Sequence, residues 1–156
     1  MRVFWISAAL AFAIDQLSKV IVVHWLDLKN VLAMDPLPPF LRFRMGWNEG
    51  INFGLFSGAE ARWLLIALAV GVSALLWRWA RGFTRPVARV GAGLVVGGAL
   101  ANALDRVIYG AVADFLNMSC CGIVNPFAFN LADVFIFGGA FALVIWGEDA
   151  KRAKTP

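Results

Sequence analysis

Apolar residues run along this chain in four long blocks, separated by connections that are charged, polar or rich in proline. A helix needs about 20 mostly apolar residues to cross a bilayer. The blocks at residues 3–24, 62–79, 87–109 and 131–147 approach that length once polar interruptions are allowed, and each predicts a spanning helix. The first is interrupted by Asp15, Ser18 and Lys19, and the second is free of charge from residue 63 to residue 77. These uncharged cores are short, so local thinning of the bilayer and snorkelling by Arg78 and Arg81 would make up the difference. The expected fold is an all-α membrane protein, one domain over residues 1–156, with four transmembrane helices and outer loops at 25–61 and 110–130.

The first loop has its own pattern. Pro36, Pro38 and Pro39 mark an irregular stretch, after which Leu41, Phe43, Met45 and Trp47 alternate with Arg42, Arg44 and Gly46. That is the period of a half-buried strand. It could lie on the outer leaflet with its arginines toward phosphates, or form a solvated hairpin. Phe53, Leu55 and Phe56, punctuated by Gly54 and Gly58, predict a short turn or helix at the membrane interface. In the third block Gly93 and Gly97 have GxxxG spacing, followed by Gly98, and the fourth block holds Gly138 and Gly139. Small residues at this spacing let helices approach closely in lipid. Gly97, Gly98 and Gly138 would also leave room for a further helix to enter.

Composition agrees with a membrane protein. Apolar residues make up 61% of the 156 and charged residues only 15%, against roughly 45–50% and about 25% in soluble domains. A soluble chain of this length could not bury so much apolar surface, so lipid must cover part of it. The net charge of +4 matters less than its placement. Arg78, Arg81, Arg85 and Arg89 flank the connection between the second and third blocks, Lys151, Arg152 and Lys154 lie in the tail, and Arg2 lies near the start. The connection between the first and second blocks holds Lys29, Arg42, Arg44 and Arg62 but is much longer, and residues 110–130 hold no lysine or arginine. Lysine and arginine favour the cytoplasmic side, so both termini should face the cytoplasm. Residues 2–13 resemble a cleaved signal, but the apolar pattern resumes after Lys19, which favours a retained first span.

Some chemistries drop out. No basic run interleaved with aromatics suggests nucleic-acid binding. His24 is the single histidine, so a multi-histidine metal site is excluded, and no cofactor is expected. Neither a GxSxG elbow nor an HExxH motif occurs. Cys120 and Cys121 are adjacent, a spacing that does not easily reach disulfide geometry, so plain loop cysteines are expected.

Ionisable groups inside a membrane cost roughly 2.5–3.5 kcal/mol each on insertion scales and call for an explanation. Asp15, Ser18 and Lys19 share one face of the first helix. Gly98, Asn102, Asp105 and Arg106 share one face of the third. Both stripes should point into the bundle, where they could form salt bridges that fix packing. Asp114, beyond the end of the third helix, and Asp133, at the start of the fourth, should both lie near the outer interface. Two such carboxylates beside an apolar wall can share one proton: the ionised member takes a proton from water while the protonated one polarises a carbonyl. The plainer alternatives remain open: Asp133 could simply favour the helix N-terminus, and Asp114 could be a solvated loop residue. Other classes also stay open. A small proton-coupled transporter would use carboxylates spread through the bilayer as relays, and a scaffold would use them as struts.

Five segments occur in order over most of the chain: Asp15-Gln-Leu-Ser-Lys19; Asn48-Glu-Gly50; Gly97-Gly98-Ala-Leu-Ala-Asn102-Ala-Leu-Asp105-Arg106; Gly110-Ala-Val-Ala-Asp114-Phe115; and Phe129-Asn130-Leu-Ala132-Asp133. Together they resemble the successive motifs of bacterial lipoprotein signal peptidase, or signal peptidase II. The resemblance implies an aspartyl endopeptidase of the bacterial inner membrane, acting as a monomer. It would cut the signal peptide from prolipoproteins whose cysteine carries a diacylglyceryl group. It implies Asp114 and Asp133 as the catalytic pair, with Asp15, Lys19, Asn48, Gly50, Gly98, Asn102, Asp105, Arg106, Asn130 and Ala132 binding substrate or supporting the site. It also implies a small extracytoplasmic sheet and a short interfacial helix in the first outer loop. Ile51-Asn52-Phe53 departs from the family pattern, which more often has small residues before the phenylalanine.

Overall fold

The structure is a computed structural model that describes residues 1–50, 59–120 and 125–147. Helix α1 spans Arg2–Lys19 and runs on as a wider π-helical stretch, Val20–Trp25. A short helix, α2, covers Leu28–Val31. Strands β1 (Ala33–Leu37) and β2 (Leu41–Asn48) follow. Then come α3 (Ala59–Ala80), α4 (Pro86–Tyr109), β3 (Val112–Met118) and α5 (Leu131–Trp146).

Three stretches, Arg2–Trp25, Ala61–Ala80 and Pro86–Tyr109, are long and apolar enough to cross a membrane. The fourth expected span, α5, is a shorter apolar helix of 16 residues. Helix α4 is the hub, packing on α1, α3 and α5. Its small residues make this possible. Gly93 and Gly97 face Phe4, Ser7 and Ala8 of α1, while Gly91 lies against Gly139 and Ala142 of α5. The GxxxG spacing is therefore a packing device, and Gly97 and Gly98 leave no gap for a substrate helix, since α1 and α5 already fill it. At Gly138 the space is open, with nothing within 4 Å of where a Cβ would stand. The outward faces are apolar: Trp5, Leu10 and Leu17 on α1, and Phe137, Phe141 and Val144 on α5, are more than half exposed. Such faces suit hydrocarbon, not water.

Two apolar clusters bracket the bundle. At one end Phe4, Phe83, Ala88 and Val96 are buried together. At the other, Val23, Leu28, Ala113 and Phe115 are buried beneath a three-stranded antiparallel sheet of order β1-β2-β3. The alternation at residues 41–47 does form a strand, but its phase breaks. A register shift between Phe43 and Gly46 sets Gly46 opposite Asp114 and Asn48 opposite Val112. Phe43 and Met45 pack on the cluster, whereas Trp47 turns out to lie against Tyr109 with ring centroids 5.5 Å apart. Pro36 sits in edge strand β1, where register also shifts between Met34 and Leu37. Proline offers no N–H to a ladder and is tolerated at an edge. Arg42 Nε pairs with Asp35 Oδ1 of β1 at 3.2 Å, with both side chains exposed.

The third strand, contributed by the loop at 110–130, went unread, and Asp114 lies on it, 5% exposed, instead of in a solvated loop. Cys120 is disulfide-bonded, which corrects the expectation of a plain loop cysteine; Cys121 lies outside the described residues. The interfacial helix expected around residues 53–58, the departure at residues 51–53 and the basic tail also lie outside the described residues.

Candidate active site

The site forms where α4 ends, α5 begins and the sheet covers both. Its central side chains are asparagines. Asn130 is the N-cap of α5, in an extended conformation that frees its side chain to accept from the Asp133 backbone N–H at 2.9 Å. Asp133 reciprocates through Oδ2, which accepts the Asn130 N–H at 3.2 Å. This capping box satisfies two orphan donors of the first turn and fixes the Asp133 carboxyl. Asp133 Oδ1 accepts Asn102 Nδ2 from α4 at 3.0 Å. The plain reading of Asp133 as a helix-terminus residue is thus satisfied, and the same geometry points its carboxyl at the site.

Asp114 is held from the other side. The segment before α5 pairs with β3 through Leu116 and Phe129, which carries Asn130 alongside the strand. Asn130 Nδ2 donates to Asp114 Oδ1 at 2.6 Å. Asn48, diagonal to Asp114 across the β2–β3 pair, donates Nδ2 to Oδ2 at 3.0 Å. The Asn48 amide is oriented by Gly50, whose N–H donates to Asn48 Oδ1 at 3.0 Å. Gly50 adopts φ +110, which side-chain-bearing residues rarely reach. Burial pushes the Asp114 carboxyl up from 3.8 to about 6; the Asn48 and Asn130 hydrogen bonds oppose this and the Asp133 charge adds to it.

Behind the pair lies a buried charge cluster. Lys19 Nζ meets Asp15 Oδ2 at 2.6 Å, Asp105 Oδ2 at 2.7 Å and Asn102 Oδ1 at 3.2 Å. The face shared by Asp15 and Lys19 is therefore an internal ion pair, extended to α4. Ala132 is fully buried and its N–H donates to Asp15 Oδ1 at 2.8 Å. A Cβ on Gly98 would stand 2.5 Å from the Ala132 carbonyl oxygen and 2.9 Å from Ile136, so only glycine lets α5 start this close to α4. Ser18, in contrast, bonds its own helix at Asp15 O (2.7 Å) and stays out of the cluster.

Arg106 departs from expectation. It is half-buried, its guanidinium donates to the Asn102 backbone carbonyl at 3.2 Å, and no carboxylate among the described residues lies within ion-pair distance. Asp114, Asp105 and Asp133 nevertheless all act on it electrostatically. Gln16 was overlooked: its Nε2 donates to Asp105 Oδ1 at 2.9 Å. Its polarity inside an apolar block was a signal. His24 Nε2 meets Tyr109 OH at 3.1 Å and takes no part in the site.

Two clefts open beside the carboxyls. One, of about 420 Å³, is lined by Gly46, Trp47, Asn48, Asp114 and Phe127. The other, of about 540 Å³ and apolar, is lined by Phe129, Asp133, Val134, Phe137 and Gly138. Asp15, Asp105, Asp114 and Asp133 are joined in one hydrogen-bonded network, an arrangement unlike a relay of carboxylates spread through the bilayer.

A family model described as "Signal peptidase (SPase) II" matches residues 7–147. The chain is 40% identical over 159 residues to the lipoprotein signal peptidase of Trichormus variabilis, covering 99% of this chain and 92% of that relative. It is 38% identical over 145 residues to that of Methylorubrum extorquens, covering 90% and 82%. A solved structure described as a bacterial membrane enzyme superposes with a TM-score of 0.76 at 24% identity, covering 90% of this chain and 88% of the other. A second gives 0.72 at 23% identity, covering 97% and 91%. On sequence similarity that spans nearly its whole length, the chain belongs to the signal peptidase II family.

Proposed function

We propose that Asp114 and Asp133 are the catalytic pair of a membrane aspartyl endopeptidase that cuts prolipoproteins before their diacylglyceryl-modified cysteine. The observation that carries this reading is the unbroken chain Asp114–Asn130–Asn102–Asp133, in which each carboxyl is oriented by an amide of the next residue. Asp114, with its raised pKa of about 6, is the member suited to hold the proton. Asp133 takes a proton from water as the oxygen attacks the scissile carbonyl carbon, while Asp114 gives its proton to the carbonyl oxygen. Collapse of the tetrahedral species returns a proton to the cysteine nitrogen as the C–N bond breaks.

The proposed protein acts as a monomer in the bacterial inner membrane, with four spans, cytoplasmic termini and the aspartates near the outer face. The apolar cleft beside Asp133 suits a lipid-borne segment, and the more polar cleft beside Asp114 suits extended peptide. A diacylglyceryl group left in lipid would hold the cysteine at this depth, each buried CH₂ contributing about 0.8 kcal/mol.

The test is cleavage of a diacylglyceryl-modified precursor in micelles by Asp114→Asn and Asp133→Asn. Each should lose at least about 10²–10⁴-fold in rate while remaining folded. Near-normal turnover by either folded variant would remove the pair from the mechanism. The same precursor without its lipid should be cut far more slowly.

A further inference from the structure

The two carboxylates that share Lys19 each grip a backbone amide, and the two amides occupy equivalent places. Asp15 Oδ1 accepts the N–H of Ala132 at 2.8 Å, and Asp105 Oδ2 accepts the N–H of Ala113 at 3.2 Å. Ala132 immediately precedes Asp133, and Ala113 immediately precedes Asp114. Asp15 and Asp105 are fully buried and Lys19 nearly so.

We propose that Lys19, with Asp15 and Asp105, is a positioning unit for the reaction: it pins the backbone one residue before each aspartate of the pair and so sets how the two carboxyls face each other. The inference rests on the assignment of Asp114 and Asp133 above. Lys19 is the member that makes the unit possible. Two buried carboxylates, one on α1 and one on α4, repel unless a cation lies between them. An ammonium has three protons to give, and here they go to Asp15, Asp105 and Asn102. The third is not incidental. By occupying Asn102 Oδ1, Lys19 turns the Asn102 amide so that Nδ2 faces Asp133. The unit thus reaches Asp133 by a backbone route through Ala132 and a side-chain route through Asn102. Its link to Asp114 runs through Ala113, and Gln16 steadies Asp105 from behind.

A strut that merely fastened α1 to α4 would serve at any level of the bundle, and its loss would lower stability without altering turnover in the molecules that stay folded. A positioning unit predicts the opposite. Misplacement of reacting groups by about 1 Å can cost about 10²-fold in rate.

The experiment compares wild type, Lys19→Met and Lys19→Arg in the same detergent, with a diacylglyceryl-modified precursor, recording kcat, KM and the thermal midpoint. For folded Lys19→Met, kcat should fall about 10²-fold with KM changed by less than about twofold, and Lys19→Arg should recover part of the loss. A kcat within about threefold of wild type in folded Lys19→Met, or a loss confined to KM, would overturn the proposal. If Lys19→Met does not fold, Gln16→Leu decides. It removes the amide that donates to Asp105 at 2.9 Å, to the Ala101 carbonyl at 3.3 Å and to Asp15 at 3.4 Å, and should lower kcat by about tenfold; a wild-type kcat would overturn the proposal. Asp114→Asn run alongside separates the two readings: if that variant stays active, the catalytic assignment fails; if it is inactive while Lys19→Met turns over normally, only the positioning unit fails.

Discussion

Asn130 lies against Asn102 with a 3.1 Å hydrogen bond from Nδ2 to Oδ1, and through this contact the N-cap of one helix is tied to the C-terminal part of another. The same Asn130 amide holds Asp114, so the residue does two separable jobs: it caps α5 and it links the carboxyls. Asn130→Ser keeps a good N-cap residue and removes the amide donors. Helix content should hold, stability should fall by no more than about 1–3 kcal/mol from the unsatisfied partners, and cleavage should drop about 10²-fold as the carboxyls lose their alignment. Loss of activity in step with loss of fold would assign Asn130 to capping alone.

The raised pKa of Asp114 has a sign that can be checked in two ways. Because the folded value of about 6 lies above 3.8, the fold binds this proton more tightly than the unfolded chain does. That contribution is fully present below about pH 3.8 and is lost as pH rises through about 6, an effect of about 3 kcal/mol at 1.36 kcal/mol per unit. Asp114→Asn should remove this segment of the stability–pH curve. If Asp114 is the proton donor, kcat/KM should fall above about pH 6. Asn48→Ala removes a donor that favours the carboxylate, so the fall should move to higher pH. A shift to lower pH would contradict the assignment.

Glycines at two levels should respond differently to the same change. Gly98→Ala places a methyl 2.5 Å from the Ala132 carbonyl and should cost about 1–3 kcal/mol while pushing the start of α5, and with it Asp133, off position. Gly138→Ala meets nothing within 4 Å and should leave the thermal midpoint unchanged or slightly raised. The pair of melting curves, with cleavage rates, checks both. A bulky residue at Gly138 is a separate case: it would project into the apolar cleft and should raise KM.

The proposed orientation is open to labelling. An impermeant thiol reagent applied to intact cells should modify cysteines placed at Lys29, in the short helix beneath the sheet, and should not reach Arg85, at the start of α4. Modification of Arg85→Cys from outside would invert the arrangement.

Much of this was legible in the sequence because burying charge in apolar helices is costly. Asp15, Lys19, Asn102 and Asp105 announce themselves by being polar where lipid-facing residues are apolar, and helical spacing places each group on one face. The Asp15–Lys19 contact follows from its four-residue spacing. What was not legible depends on partners far apart in the chain. Residues 112–118 read as loop because a strand buried on both sides by other elements shows no alternation, and its hydrogen bonds come from distant partners, β2 along its length and Phe129 at Leu116. Arg106 was expected to pair with a buried acid, but the nearby acids are already committed: Asp105 to Lys19, Asp114 and Asp133 to asparagines. The filling of the Gly97 and Gly98 gaps by α1 and α5 was likewise a matter of which helices meet, which spacing alone does not fix.

The register shift between Phe43 and Gly46 bears on how this protein tolerates insertions and deletions. Side chains on a strand alternate sides, so one residue added or removed exchanges the face of everything beyond it. Upstream of the shift, a change of length at the turn between β1 and β2 can be absorbed at the edge of the sheet, where Pro36 already interrupts the ladder. Between Phe43 and Asn48 it cannot. There, dropping one residue would turn Asn48 away from Asp114 and bring Trp47 or its neighbour to the carboxyl in its place. The reading frame of six residues in a loop thereby decides whether the acid receives an amide or an indole. Libraries that vary this loop can change its length on one side of the bulge and only its composition on the other.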